Sequence, residues 1–189
     1  MTLANKITLA RIALIPFFLG FAVAGGSGCT AVALVLFIVA SVTDFLDGYI
    51  ARKYNQVTDF GKFVDPLADK LMVCAALLLF VEKGLMSGIL VFIILAREFI
   101  ITSLRTVAMG KGRVLAASWT GKVKTCTQIV CICLIFLCVI LEGGNEMSAF
   151  GSTFCTIAGW VMTLITLYSG YDYMSKNWDI VAEGATKSK

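Results

Sequence analysis

The stretch VTDFLDGYIARKYNQVTDFGKFVDPLADK, residues 42–70, joins two apolar runs and carries five of the chain's twelve acidic residues. The apolar runs, about 30–50 and 66–82, are each long enough to cross a bilayer as a helix. Charges near hydrocarbon are costly, so carboxylates gathered at this place indicate a function. The stretch therefore predicts a helical membrane protein with a polar site at one edge of its bundle.

The rest of the sequence extends this prediction to an all-α integral membrane protein. Hydrophobic residues make up 59% of the chain, whereas soluble domains contain about 45–50%. The apolar runs are continuous and do not alternate, which favours helices over a β-barrel. Six transmembrane helices are predicted, at about 9–25, 30–50, 66–82, 85–108, 119–141 and 151–173. We expect a single membrane domain over 1–189, with a frayed tail at about 182–189.

The connectors between these segments differ in charge. Those at 25–29, 82–86 and 142–146 contain only Lys83 as a basic residue, whereas 51–70 and 105–124 are rich in lysine and arginine. The positive-inside rule then places both termini and the two basic connectors in the cytoplasm. The net charge of +4 follows this pattern, and nothing in it points to a nucleic-acid partner.

The first segment could also be interpreted as a signal peptide. Lys6 and Arg11, an apolar run and AVA at 22–24 fit that pattern. However, Asn5, Thr8 and Arg11 recur at helical spacing and make a polar face, and cleavage would leave five spans with the positive loops on the wrong side. We expect the segment to be retained.

Histidine is absent, so chemistry must rest on carboxylates, lysines, arginines and hydroxyls. The seven cysteines lie mostly within apolar runs and form no CxxC pair. They are interpreted as small buried residues without a redox or metal role.

The acidic residues fall into two pairs. Asp44 and Asp47 lie three apart at the end of one span, and Asp65 and Asp69 lie four apart at the start of the next, so a helix puts each pair on one face. Asp65 followed by Pro66 predicts an N-cap and the first helical residue. Four converging carboxylates repel one another unless cations neutralise them. Oxygen-only ligands favour Mg²⁺ or Mn²⁺, and two ions would balance the four charges.

Small and polar residues surround these pairs. Gly48, Ala51 and Gly61 remove bulk where a phosphorylated ligand approaches the backbone, and Arg52 and Thr58 supply donors for phosphate. Asp59, by contrast, is interpreted as an ordinary solvated or capping residue.

The second half of the chain contains a basic group within AREFIITSLRTVAMGKGRVLAASWTGKVKT, residues 96–125. Arg97 lies inside an apolar segment, Arg105 lies two turns further on, and Lys122 and Lys124 open the fifth span. Such a group suits an anionic acceptor, since arginine donates forked hydrogen bonds to phosphate. Lys111 and Arg113 are interpreted mainly as positive-inside anchors.

The pattern D-x2-D-G-x2-A-R-x8-G-x3-D-x3-D over residues 44–69 resembles the signature of the CDP-alcohol phosphotransferase family. The resemblance implies a six-helix bundle, a homodimer, a divalent-metal site facing the cytoplasm, and transfer of a phosphatidyl or similar group from a CDP-linked donor to an alcohol with release of CMP. It implies that Asp44, Asp47 and Asp65 are metal ligands and that Asp69 is both a ligand and the general base. The residues assigned to the cytidine diphosphate are Gly48, Ala51, Arg52, Gly61, Thr58 and Asn5.

The pieces NKITLARIALIP, AREFIITSLR, AAS and GKVKT resemble one bacterial branch of the family. That branch transfers the phosphatidyl group from CDP-diacylglycerol to the C1 hydroxyl of sn-glycerol 3-phosphate in phosphatidylglycerol and cardiolipin biosynthesis, at the bacterial inner membrane. Arg97, Arg105, Lys122 and Lys124 are then expected to hold the acceptor phosphate.

Two alternatives stay open from the sequence. The same chemistry could use another acceptor, such as inositol phosphate or serine, although a neutral acceptor would not need the basic group. More remotely, the four carboxylates could be the ion site of a cation transporter. That alternative leaves the glycine, alanine and arginine positions of the motif unexplained.

Overall fold

The computed structural model describes residues 3–53, 59–110, 112–113, 115, 118–143 and 147–179, and side chains within them except at 3–6, 44–53, 59–67 and 69. All regular structure in these ranges is helical, which confirms the all-α prediction there. The helices are α1 (Leu3–Ala24), α2 (Gly26–Lys53), α3 (Asp59–Glu82), α4 (Gly88–Gly110), α5 (Trp119–Leu141) and α6 (Ala149–Lys176). The tail expected to fray lies outside the described residues.

The helix boundaries correct one prediction. Helix α3 begins at Asp59, so Asp65 and Pro66 lie inside it, and the prediction that they mark its start is wrong. Pro16 likewise lies inside α1. Membrane helices tolerate proline because neighbouring groups and small local adjustments satisfy the backbone carbonyl that proline leaves without a donor.

Within the ranges that the structure describes, four helical segments are long and apolar enough to cross a membrane: Ile7–Ala24, Gly26–Thr43, Trp119–Leu141 and Ala149–Lys176. Helices α3 and α4 are also long, with 24 and 23 residues, but both contain several charged residues. In α4 these are Arg97, Glu98 and Arg105. The charged residues of α3 and α4 make both helices candidates for the functional site. The same residues make the two helices less apolar, and therefore less typical of membrane spans.

The core of the bundle is built around four phenylalanines, one from each of four helices. Phe136 of α5 lies in the middle, with its ring centre 5.8 Å from Phe18 of α1, 6.4 Å from Phe37 of α2 and 5.0 Å from Phe80 of α3. All four side chains are at most 2% exposed. This packing holds α1, α2, α3 and α5 together and fixes the frame on which the polar residues lie.

Candidate functional site

The acidic motif lies on the facing ends of two consecutive helices. Asp44 and Asp47 lie in the last third of α2, and Asp65 and Asp69 lie in the first half of α3. The side chains of all four lie outside the described part, so their metal-binding roles stay predictions. The same holds for the residues assigned to the cytidine diphosphate: Gly48, Ala51 and Arg52 in α2, Gly61 in α3, Asn5 in α1, and Thr58, which lies outside the described residues.

A cavity of about 80 Å³ adjoins these segments and is lined by polar and apolar side chains of α1, α2, α3, α4 and α5. One wall contains Ser41, three residues before Asp44 in α2, and another contains Lys70, which follows Asp69 in α3. The cavity therefore lies at the same level of the bundle as the acidic motif, and its volume accommodates several waters or a small polar group.

Glu98 is the centre of an ion cluster at this cavity. Its Oε1 accepts from Nζ of Lys124 at 2.6 Å and from Nη1 of Arg97 at 2.9 Å. Arg97 also donates from Nη2 to Oγ of Ser169 at 2.7 Å. The side chains of Lys124, Arg97 and Glu98 are only 4%, 11% and 18% exposed. Buried charges require such pairing, and this cluster ties α4, α5 and α6 together.

Arg105 occupies a second position on α4, two turns beyond Arg97. Its Nε donates to the hydroxyl of Tyr173 at 3.0 Å, and its guanidinium carbon lies 5.2 Å from the centre of the Tyr173 ring. Tyr173 is 2% exposed, so the arginine is held by a rigid partner on α6.

The structure thus brings together some of the basic residues predicted to hold the acceptor phosphate. Arg97 and Lys124 meet at Glu98, and Arg105 follows on the same helix. Lys122, in the first turn of α5, is exposed and does not join this cluster. Their proposed contact with an acceptor stays a prediction.

Sequence reasoning did not assign three residues that the structure places at the site. Glu98 was visible as a charge in an apolar segment, and Gln128 lies four residues after Lys124, so helical spacing could have identified both. Ser169 gives no such signal, because its importance depends on the packing of α6 against α4.

Comparison with known proteins gives consistent matches. Residues 1–169 match the sequence model of the family described as CDP-alcohol phosphatidyltransferase. A Bacillus subtilis protein named CDP-diacylglycerol--glycerol-3-phosphate 3-phosphatidyltransferase is 46% identical, with 94% of this chain and 95% of that protein covered. A Rickettsia felis protein of the same name is 38% identical, with 90% and 92% covered. A Mycobacterium tuberculosis protein named probable phosphatidylglycerophosphate synthase is 37% identical, with 92% and 80% covered.

Proposed function

The chain belongs to the CDP-alcohol phosphatidyltransferase family, and we propose that it transfers the phosphatidyl group of CDP-diacylglycerol to sn-glycerol 3-phosphate. The products are phosphatidylglycerophosphate and CMP. The observation that carries this proposal is the similarity, over nearly the whole chain, to relatives whose names state this reaction. The buried cations beside the acidic motif support it, since they suit the phosphate of the acceptor.

The charge of the ion cluster argues for an anionic acceptor. Arg97 and Lys124 both donate to the carboxylate of Glu98, so two buried cationic side chains lie together beside the cavity. Guanidinium and ammonium donors held together in this way suit a bound anion such as a phosphate. Glycerol 3-phosphate and inositol phosphate both supply one, whereas serine does not carry a phosphate for these donors.

We assign the divalent metal to Asp44, Asp47, Asp65 and Asp69, whose donor set consists only of carboxylate oxygens and so fits Mg²⁺ or Mn²⁺. When bound, two such ions supply neutralisation of the donor pyrophosphate and of the CMP leaving group. Asp69 accepts the proton of the acceptor C1 hydroxyl. The C1 oxygen forms its bond to the β-phosphorus in line as the bond to the CMP oxygen breaks.

The membrane arrangement that goes with this function has six spans, with α3 and α4 crossing as well as the four apolar helices. Both termini and the site then face the cytoplasm of a bacterium, where glycerol 3-phosphate is soluble and CDP-diacylglycerol lies in the adjacent leaflet. The charges of α3 and α4 face the bundle interior in this arrangement, as expected for intramembrane charges. The family resemblance further implies that the protein is a homodimer.

Release of CMP from CDP-diacylglycerol by the purified protein tests the proposal. We expect turnover with glycerol 3-phosphate, little with inositol phosphate or serine, loss on chelation, and recovery with Mg²⁺ or Mn²⁺. Turnover with serine alone would contradict the acceptor assignment. Turnover indifferent to the chelator would contradict the metal assignment.

A further inference from the structure

Gln128 is a buried polar residue that the mechanism above does not use. It lies on α5 one turn beyond Lys124, lines the same cavity, and is 3% exposed. Its Nε2 has no hydrogen-bond partner within the described part of the chain. A buried amide without a partner destabilises a protein, so such a group at the wall of a cavity indicates that something else supplies the partner.

The residues around Gln128 indicate the chemical nature of the missing hydrogen-bond partner. Lys124 and Glu98 line the cavity beside it, with Ser41 from α2 and Lys70 from α3. An Nε2 donor in this setting needs an oxygen that accepts a hydrogen bond. The small cavity, with these charged and polar side chains in its wall, suits one end of a compact hydroxylated or phosphorylated molecule and is too small for an acyl chain.

We propose that Gln128 is a specificity-determining residue that donates a hydrogen bond from Nε2 to an oxygen of the acceptor alcohol in this cavity. The inference rests on the proposed function and deepens it, because it assigns recognition of the acceptor to a neutral donor as well as to Arg97 and Lys124. A site built to hydrogen-bond a substrate oxygen discriminates strongly against molecules that lack it, since its buried donor is then left unpaired.

Gln128→Met is the informative variant, because methionine preserves length and unbranched shape but removes the donor. We expect the KM for glycerol 3-phosphate to rise about tenfold, with the KM for CDP-diacylglycerol within about twofold of wild type. The Tm should be equal to or above that of wild type, since the amide has no partner to lose when the acceptor is absent. Gln128→Asn retains a donor on a shorter side chain. Its KM for glycerol 3-phosphate should lie between those of the wild type and Gln128→Met.

Thr163→Val is the matched control. Thr163 is also buried, at 1% exposure, but its hydroxyl already donates to the carbonyl of Gly159 at 2.8 Å and it lies outside the cavity. Both KM values of this variant should stay within about twofold of wild type.

A comparison of two acceptors shows which oxygen of the acceptor Gln128 contacts. 3-Hydroxypropyl phosphate retains the phosphate and the reacting hydroxyl of glycerol 3-phosphate but lacks its second hydroxyl. If Gln128 contacts that hydroxyl, Gln128→Met removes the discrimination between the two acceptors. If it contacts a phosphate oxygen, the variant weakens both acceptors equally.

An unchanged KM for glycerol 3-phosphate in Gln128→Met, or a lowered Tm with both KM values raised together, would overturn the inference. Failure of the proposed function has a different signature: the wild type itself would not use glycerol 3-phosphate. In that case the same comparison is made with whichever alcohol the wild type accepts, so the test of Gln128 stands by itself.

Discussion

Nζ of Lys124 on α5 lies 2.6 Å from Oε1 of Glu98 on α4, with both side chains largely buried. The carboxylate also binds Arg97, so one anion pairs with cations from two helices. Glu98 therefore has a structural role that does not depend on a bound acceptor. It stabilises the buried cations beside the cavity when no acceptor is present.

Replacing Glu98 with glutamine should lower the free energy of unfolding by about 3 kcal/mol, because the buried Arg97 and Lys124 then lose the carboxylate to which both donate. Denaturant or thermal unfolding in detergent measures the loss. The double variant Glu98→Gln/Lys124→Met should recover at least about 1 kcal/mol of it, since one of the two cations that lost the Glu98 carboxylate is gone. Strictly additive losses would show that the two side chains are not coupled.

Asp69→Asn should reduce turnover about a hundredfold or more, because the amide cannot accept the proton of the acceptor hydroxyl. Asp59→Asn is the matched control, with the same change in the same helix at a residue interpreted as ordinary, and should retain most of the activity. CMP release under saturating substrates measures both. Near-normal turnover of Asp69→Asn would remove this residue from the chemistry.

Gly170→Ala should raise the KM for glycerol 3-phosphate at least about fivefold, because Arg97 would be displaced from its position beside the cavity. A Cβ added at Gly170 would lie 3.0 Å from Cγ of Arg97. Gly20→Ala is the control: no atom lies within 4 Å of a Cβ added there. That variant should keep the wild-type KM and gain about 0.5–1 kcal/mol in stability from the better helix propensity of alanine. Equal KM values in both variants would argue against Arg97 as an acceptor ligand.

Reporter fusions test the six-span arrangement. A fluorescent protein fused after Asn177 should be bright and alkaline phosphatase at the same place inactive, because this end is expected in the cytoplasm. Alkaline phosphatase fused after Gly143, between α5 and α6, should be active. Alkaline phosphatase fused after Gly84, between α3 and α4, should also be active. If neither α3 nor α4 crossed, the residue-84 fusion would be inactive, and if only one of them crossed, the residue-143 fusion would be inactive.

The fold was largely predictable because apolar runs of bilayer length have few alternatives to helices. The start of α3 was not, since an Asp–Pro pair is common at helix starts but proline is also tolerated inside membrane helices. In a bundle the helix continues past the proline to Asp59. The residues around Pro66 were correctly interpreted as compatible with a helix, but the residue at which α3 begins depends on tertiary context.

The candidate site, like the fold, was predictable from the sequence only in part. The spacing of acidic residues and the presence of Arg97 inside an apolar segment were visible in the sequence, because each depends on one helix. The pairing of Lys124 with Glu98 and of Arg105 with Tyr173 joins helices separated by many residues, and nothing local specifies it. Lys122 shows the limit most clearly: two positions from Lys124, it faces outward because a helix rotates about 200° over two residues.

The phenylalanine group in the core also constrains how the protein is made. Phe18, Phe37 and Phe80 leave the ribosome well before Phe136, so α1, α2 and α3 are synthesised before the side chain at the centre of their packing. The bundle can reach its final arrangement only after α5 has been inserted, which makes the early helices dependent on lipid or insertion machinery in the interval. A chain truncated before α5 would therefore be expected to remain loosely assembled and open to proteolysis.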